Sequence, residues 1–93
     1  MARAERRLFA LNDQVLLLDE EITRVTDELS YHQSLADDAA RDAAVSEDPV
    51  ERENAAMTAR DVEQFQKRRN RLLKARAKLE AQRDRLLTRL GLS

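Results

Sequence analysis

Leu8, Leu11, Val15, Leu18, Ile22, Val25, Leu29, His32, Ala36, Ala39 and Ala43 follow one another at alternating steps of three and four residues, and all but His32 are apolar. A seam of this period, held without a slip for about five heptads, runs along one side of an α-helix. It has one good physical use, which is packing lengthwise on another helix. The chain is therefore expected to be all-α and built on a coiled coil.

Almost nothing in the rest of the sequence breaks a helix. There is one Gly, Gly91, and one Pro, Pro49. The only turn signal lies at Ser46-Glu47-Asp48-Pro49. Asp48 reads as an N-cap and Pro49 as the first helical residue, where a missing N–H costs nothing. Glu51 falls at the third helical position, completing a capping-box pattern with Asp in place of Ser or Thr. One helix is expected over about 4–44, a turn over about 45–48 and a second helix over about 49–90, with Gly91 just past its end. Each helix would be roughly 60 Å long at 1.5 Å per residue. So short a connection makes them antiparallel neighbours. The expected architecture is a single antiparallel two-helix hairpin across residues 1–93.

Charged residues make up 38% of the 93-residue chain and aromatics 3%, the balance of long solvated helices rather than of a compact globule. One hairpin buries one seam per helix, and chains this small struggle to bury enough surface alone. Dimerisation into a four-helix bundle is the simplest remedy. There is no Cys, hence no disulfide framework. The longest apolar run, Val15-Leu16-Leu17-Leu18, falls far short of the roughly 20 residues that span a membrane. No signal-peptide core follows the basic N-terminus, so a cytoplasmic protein is expected.

The net charge of −1 hides an asymmetry. Residues 1–59 carry 6 basic and 14 acidic side chains; residues 60–93 carry 11 basic and 4 acidic. Folding about residues 47–48 pairs positions whose numbers sum to about 95. Asp19, Glu20 and Glu21 then meet Lys74, Arg76 and Lys78, while Asp27 and Glu28 meet Lys67, Arg68 and Arg69. Complementary flanking charges of this kind set orientation more than stability. Two ends stay unbalanced: an acidic tip with Asp37, Asp38, Asp42, Glu47, Asp48, Glu51 and Glu53 against Arg41 and Arg52, and a basic open end with Arg3, Arg6, Arg7, Arg83, Arg85 and Arg89 against Glu5 and Asp84.

Leu11, Val15, Leu18, Ile22, Val25 and Leu29 are expected to form the intramolecular seam with Phe65, Leu72, Leu79 and Leu86. Phe9, Leu16, Leu17, Leu73 and Leu87 fall outside it. A second apolar stripe on a paired helix calls for another partner, so these five are the candidate dimer or partner contacts. Ala36, Ala39 and Ala43, facing Ala55, Ala56 and Ala59, should make the tip thin and mobile.

Motifs of site chemistry are missing. There is no Gly-rich phosphate loop, no nucleophile–base pairing and no HExxH, so no enzyme and no cofactor are expected. His32 is the only His and has no companion with which to build a zinc site. Asp37, Asp38 and Asp42 lack the loop and glycine of an EF-hand, so no metal is expected. The run Lys67-Arg68-Arg69-Asn70-Arg71 offers phosphate contacts for nucleic acid, but the only aromatic nearby is Phe65.

The acidic tip, Asp37 to Glu53, resembles in charge that of the DksA-type transcription factors, whose zinc-finger cysteines are missing here. Glu28-Leu29-Ser30-Tyr31 is similar to the first helix of the actinobacterial helical-hairpin anti-sigma factors that bind cyclic di-GMP. Their ligand signature, placed on Ser30, meets Thr26, Gln33, Asp37 and Arg41 instead of the matching residues, so nucleotide binding does not carry over. The expected function is protein–protein interaction, as a self-associating scaffold or adaptor. The alternatives are a bacterial transcription regulator presenting its acidic tip to RNA polymerase or a sigma factor, and nucleic-acid binding through Lys67, Arg68, Arg69 and Arg71.

Overall fold

A computed structural model describes residues 2–92. It contains two helices, α1 (Arg3–Val45) and α2 (Pro49–Arg89), joined through Ser46, Glu47 and Asp48. They pack antiparallel. Cross-helix bonds pair Arg69 with Thr26, Arg76 with Asp19 and Arg83 with Asn12, so numbers rise on one helix as they fall on the other. Each of these pairs sums to 95.

The connection is held by its own polar groups. Ser46 Oγ accepts from the Asp48 N–H at 3.0 Å, and Asp48 Oδ1 accepts from the Val50 N–H at 3.0 Å. The second bond satisfies one of the orphan donors in the first turn of α2. The capping-box reading is corrected here, because the Asp48 N–H goes to Ser46 and not to Glu51. At the far end Gly91 sits at φ +72°. The Leu92 N–H donates to the Leu87 carbonyl at 2.9 Å and the Gly91 N–H to the Thr88 carbonyl at 3.0 Å. Those two bonds define a Schellman cap, and the left-handed backbone it needs suits glycine best.

Two compact units divide the chain. The first takes residues up to Thr23 and from Asn70 onward; the second is Arg24–Arg69. In the first unit Leu11 is 1% exposed, and Val15 and Leu86 are also buried. Leu8, Leu18, Ile22, Leu72, Leu79 and Leu90 are half-buried around them. Full burial of a Leu or Val side chain is worth about 1.5–3 kcal/mol, so these few residues dominate the packing of that unit.

The second unit has less to bury. Val25 and Ala39 are its buried apolar residues. Leu29, His32, Ala36, Ala43, Ala55, Thr58, Val62 and Phe65 are half-buried. The His32 ring stacks on Phe65, centroids 4.5 Å apart and planes 23° from parallel. Tyr31 meets His32 edge-on at 5.5 Å and stays exposed. Ala55 and Thr58 supply the α2 side of the alanine-lined stretch, whereas Ala56 and Ala59 are exposed. The expected facing of Ala56 and Ala59 is therefore wrong; the seam of α2 passes through positions 55, 58, 62 and 65.

Continued along α2, the same three-four rhythm passes through 69, 72, 76, 79, 83, 86 and 90, all buried or half-buried. Arginine occupies three of these positions, at 69, 76 and 83. One helix thus offers an almost wholly apolar seam, and the other alternates leucine with arginine.

Candidate interaction surfaces

The seam arginines keep their stems along the apolar seam and turn their heads to one side of α1, as long cationic side chains do. Arg69 Nε donates to Thr26 Oγ1 at 3.0 Å in the second unit. In the first unit Arg83 Nη1 donates to Asn12 Oδ1 at 3.3 Å. Arg76 donates from Nε to Asp19 Oδ1 and from Nη2 to Asp19 Oδ2, the latter at 3.3 Å. Its Nη1 donates to Glu80 of its own helix, and Glu80 also lies 3.9 Å from Arg83. Asp19, Arg76, Glu80 and Arg83 therefore form one charge-balanced cluster.

The hydrogen bond from Arg76 holds the Asp19 carboxyl below its ordinary pKa, with burial acting against it and the charges of Arg76 and Arg83 adding to it. The same bond raises Arg76, against burial and with help from Glu80. A fully satisfied polar cluster of this kind orients partners and offers no reactive group.

Among the expected seam residues, Leu11, Val15, Val25 and Leu86 are buried; Leu18, Ile22, Leu29, Phe65, Leu72 and Leu79 are half-buried. The second apolar stripe stands outside, in the first unit. Phe9 is 51% exposed, Leu16 61% and Leu17 65%. Leu73 is exposed and Leu87 half-buried. Sequence reasoning passed over a second set of exposed apolar side chains in the other unit: Leu35, Val45, Val50 and Met57. Val50 and Met57, one heptad apart, line an open hollow with Glu53 and Asn54. Their shared spacing was the available signal.

Asp37, Asp38, Asp42, Glu47 and Asp48 are all exposed. Asp38 is bridged by Arg41 one turn on. The last turn of α1 holds Asp42 and no basic residue, so that carboxylate opposes the helix dipole; Arg41 precedes it, and Arg52 of α2 donates to the Glu47 carbonyl at 3.2 Å just past the helix end. Among the described residues no group of His, Cys, Asp or Glu is arranged to hold a metal ion.

The basic run does not form one patch. Lys67 pairs with Glu63 at 3.3 Å, and Arg69 is drawn into the seam by Thr26. Arg68 and Arg71 are exposed. Consecutive residues on a helix point about 100° apart, so a five-residue run is spread round the cylinder. Among the described residues no helix is long and apolar enough to cross a membrane.

No family model, curated protein or solved structure matches this chain.

Proposed function

We propose that the chain is a non-enzymatic protein–protein interaction module, a helical hairpin that self-associates through the outer stripe of its first unit and serves as a scaffold or adaptor. The observation that carries this reading is the exposure of Leu16 and Leu17, side by side at 61% and 65%, with Phe9 two turns before them. Helices otherwise covered in charge gain nothing by leaving such residues in water, whereas a second helical layer would cover them.

The test is light scattering on the full chain across a concentration series. Wild type should run at a multiple of its 10.7 kDa chain mass, and the Leu16→Glu/Leu17→Glu variant should run as a helical monomer. A monomeric wild type, or a variant of unchanged mass, sinks the proposal.

A second reading has one observation in its favour. Asp42 opposes the dipole in the last turn of α1, an arrangement that costs stability unless a basic partner covers it. That suits a regulator presenting its acidic tip to RNA polymerase or a sigma factor. A pull-down comparing wild type with Asp37→Lys/Asp38→Lys/Asp42→Lys separates the two. Polymerase or sigma factor recovered by wild type alone supports the regulator; the same proteins recovered by both baits oppose it.

A further inference from the structure

In the first unit, the N-terminal turns of α1 and the C-terminal turns of α2 flank two adjoining open hollows. Arg3, Ala4, Arg7, Leu86 and Arg89 line one. Arg7, Leu11, Gln82, Arg85, Leu86 and Arg89 line the other. Arg7, Leu86 and Arg89 form the wall between them.

The arginines come as two pairs, Arg3 with Arg7 on α1 and Arg85 with Arg89 on α2, each pair four residues apart. Side chains so spaced are neighbours on the helix surface, and like charges there repel. Among the described residues no acid is paired with them. Glu5 and Asp84 are close in sequence but line neither hollow. Arg7 donates to the neutral Gln82 Oε1 at 3.2 Å. Arg3, Arg85 and Arg89 have no hydrogen bond or ion pair among the described residues, and all four heads are exposed. The carbonyls of Leu87 and Thr88 are taken by the cap at Gly91 and so do not compete for the guanidinium donors.

We infer that this end of the first unit binds a polyphosphate group in the forks of Arg3, Arg7, Arg85 and Arg89. Guanidinium presents planar paired donors that match phosphoryl oxygens, which ammonium does not. One oxyanion would satisfy one fork; several phosphoryl groups in a row can engage all four and cancel both repulsions at once. The hollow at Arg3 is open to solvent and has a volume of about 500 Å³, room for a triphosphate lying along the surface. Leu86 and Ala4 give it an apolar floor on which an organic group could rest. This inference is independent of the self-association reading, which involves the outer stripe.

Titration calorimetry on the full chain at low salt tests it, with inorganic pyrophosphate, tripolyphosphate, orthophosphate and ATP as probes. One pyrophosphate or tripolyphosphate should bind per chain, with orthophosphate at least about tenfold weaker. Arg7→Gln and Arg89→Gln should each cost about tenfold, the size of one lost charge-assisted bond. Arg7→Lys/Arg89→Lys keeps the charge and removes the forks, and should also lose affinity. Lys74→Gln and Lys78→Gln each remove the same single charge from exposed positions outside both hollows and should leave affinity unchanged. ATP binding more tightly than tripolyphosphate assigns the site to a nucleotide; equal affinity assigns it to free polyphosphate. All these substitutions fall on exposed residues, and circular dichroism verifies that the helices persist. The inference is overturned by absent binding of both polyphosphates, by a lysine variant that binds as wild type does, or by equal losses in the two glutamine sets, which would mean diffuse charge rather than a site.

Discussion

Arg76 and Asp19 meet across the two helices edge to edge, Nε against Oδ1 and Nη2 against Oδ2, while Nη1 of the same guanidinium turns back to Glu80. One heptad away on each helix, Arg83 and Asn12 repeat the relationship; one heptad away in the other direction, so do Arg69 and Thr26. Arginine rungs thus stand beside the apolar seam within each unit, and several measurable properties follow from them.

Acid should weaken the fold through Asp19. Its folded pKa lies below the ordinary carboxylate value, chiefly because Arg76 bonds its charged form. A group with a lowered folded pKa contributes stability above its unfolded value and loses that contribution as pH falls through the folded one. The loss should set in below about pH 4. Thermal unfolding of Asp19→Asn should be less stable than wild type at neutral pH and should close the gap in acid. A gap that stays constant with pH would remove Asp19 from the account.

Arg83→Leu should stabilise the fold. The arginine occupies a seam position beside Leu79 and Leu86; its head makes one long bond to neutral Asn12 and lies 3.9 Å from Glu80, which keeps Arg76 as its closer partner. Replacing a partly buried charged group by an apolar one is often neutral or favourable, here by roughly 1 kcal/mol. Asn12 remains able to bond water. Urea unfolding that shows a loss of stability would mean the rung contributes more than the apolar seam can replace.

Helix ends offer a separate test. Asp48→Ala removes the bond to the Val50 N–H and should cost about 1 kcal/mol. Gly91→Ala meets no steric neighbour, yet forces an L-residue to φ +72°, and should cost up to about 1 kcal/mol. Chemical denaturation at two or more protein concentrations gives both values free of any association.

Stability should be uneven. Leu11→Ala, at the most buried position, should cost about 3 kcal/mol, enough to threaten a chain this small. Amides from Ala36 to Ala43 should exchange with solvent well before those from Leu11 to Leu18, because alanine seams bury little. Hydrogen exchange with mass spectrometry reads this directly, and equal protection in both stretches would overturn it.

The architecture was legible because α1 writes its seam in apolar residues and because Asp48-Pro49 and Gly91 punctuate the chain. The expected sum of about 95 emerges at Asp19 and Arg76 for the same reason: the connection is short and symmetric about residues 47–48. The seam of α2 was harder to see. A count of apolar residues finds Phe65, Leu72, Leu79 and Leu86, one per heptad, and overlooks Arg69, Arg76 and Arg83 between them. A long aliphatic stem makes arginine a seam residue whenever its head has somewhere polar to go, and that depends on the facing helix, not on the local sequence. The same dependence moved Arg69 out of the basic run and left Ala56 and Ala59 in water. The arginine hollows combine residues more than 70 positions apart, and only the antiparallel pairing brings them to one end.

The rungs have a further consequence. Because they recur every seven residues on both helices, sliding one helix by seven residues would set Arg69 against Asp19, Arg76 against Asn12 and Arg83 against Glu5. Polar groups would again face polar groups, and seam would again face seam. The interface by itself therefore distinguishes poorly between neighbouring alignments. What counts the residues is the tight connection at Ser46-Glu47-Asp48, which acts as a ruler. Replacing it with a long flexible linker should yield molecules aligned in two ways, visible as two sets of crosslinks from a single cysteine introduced on each helix. In this hairpin the smallest element of structure carries the information that the two largest leave unspecified.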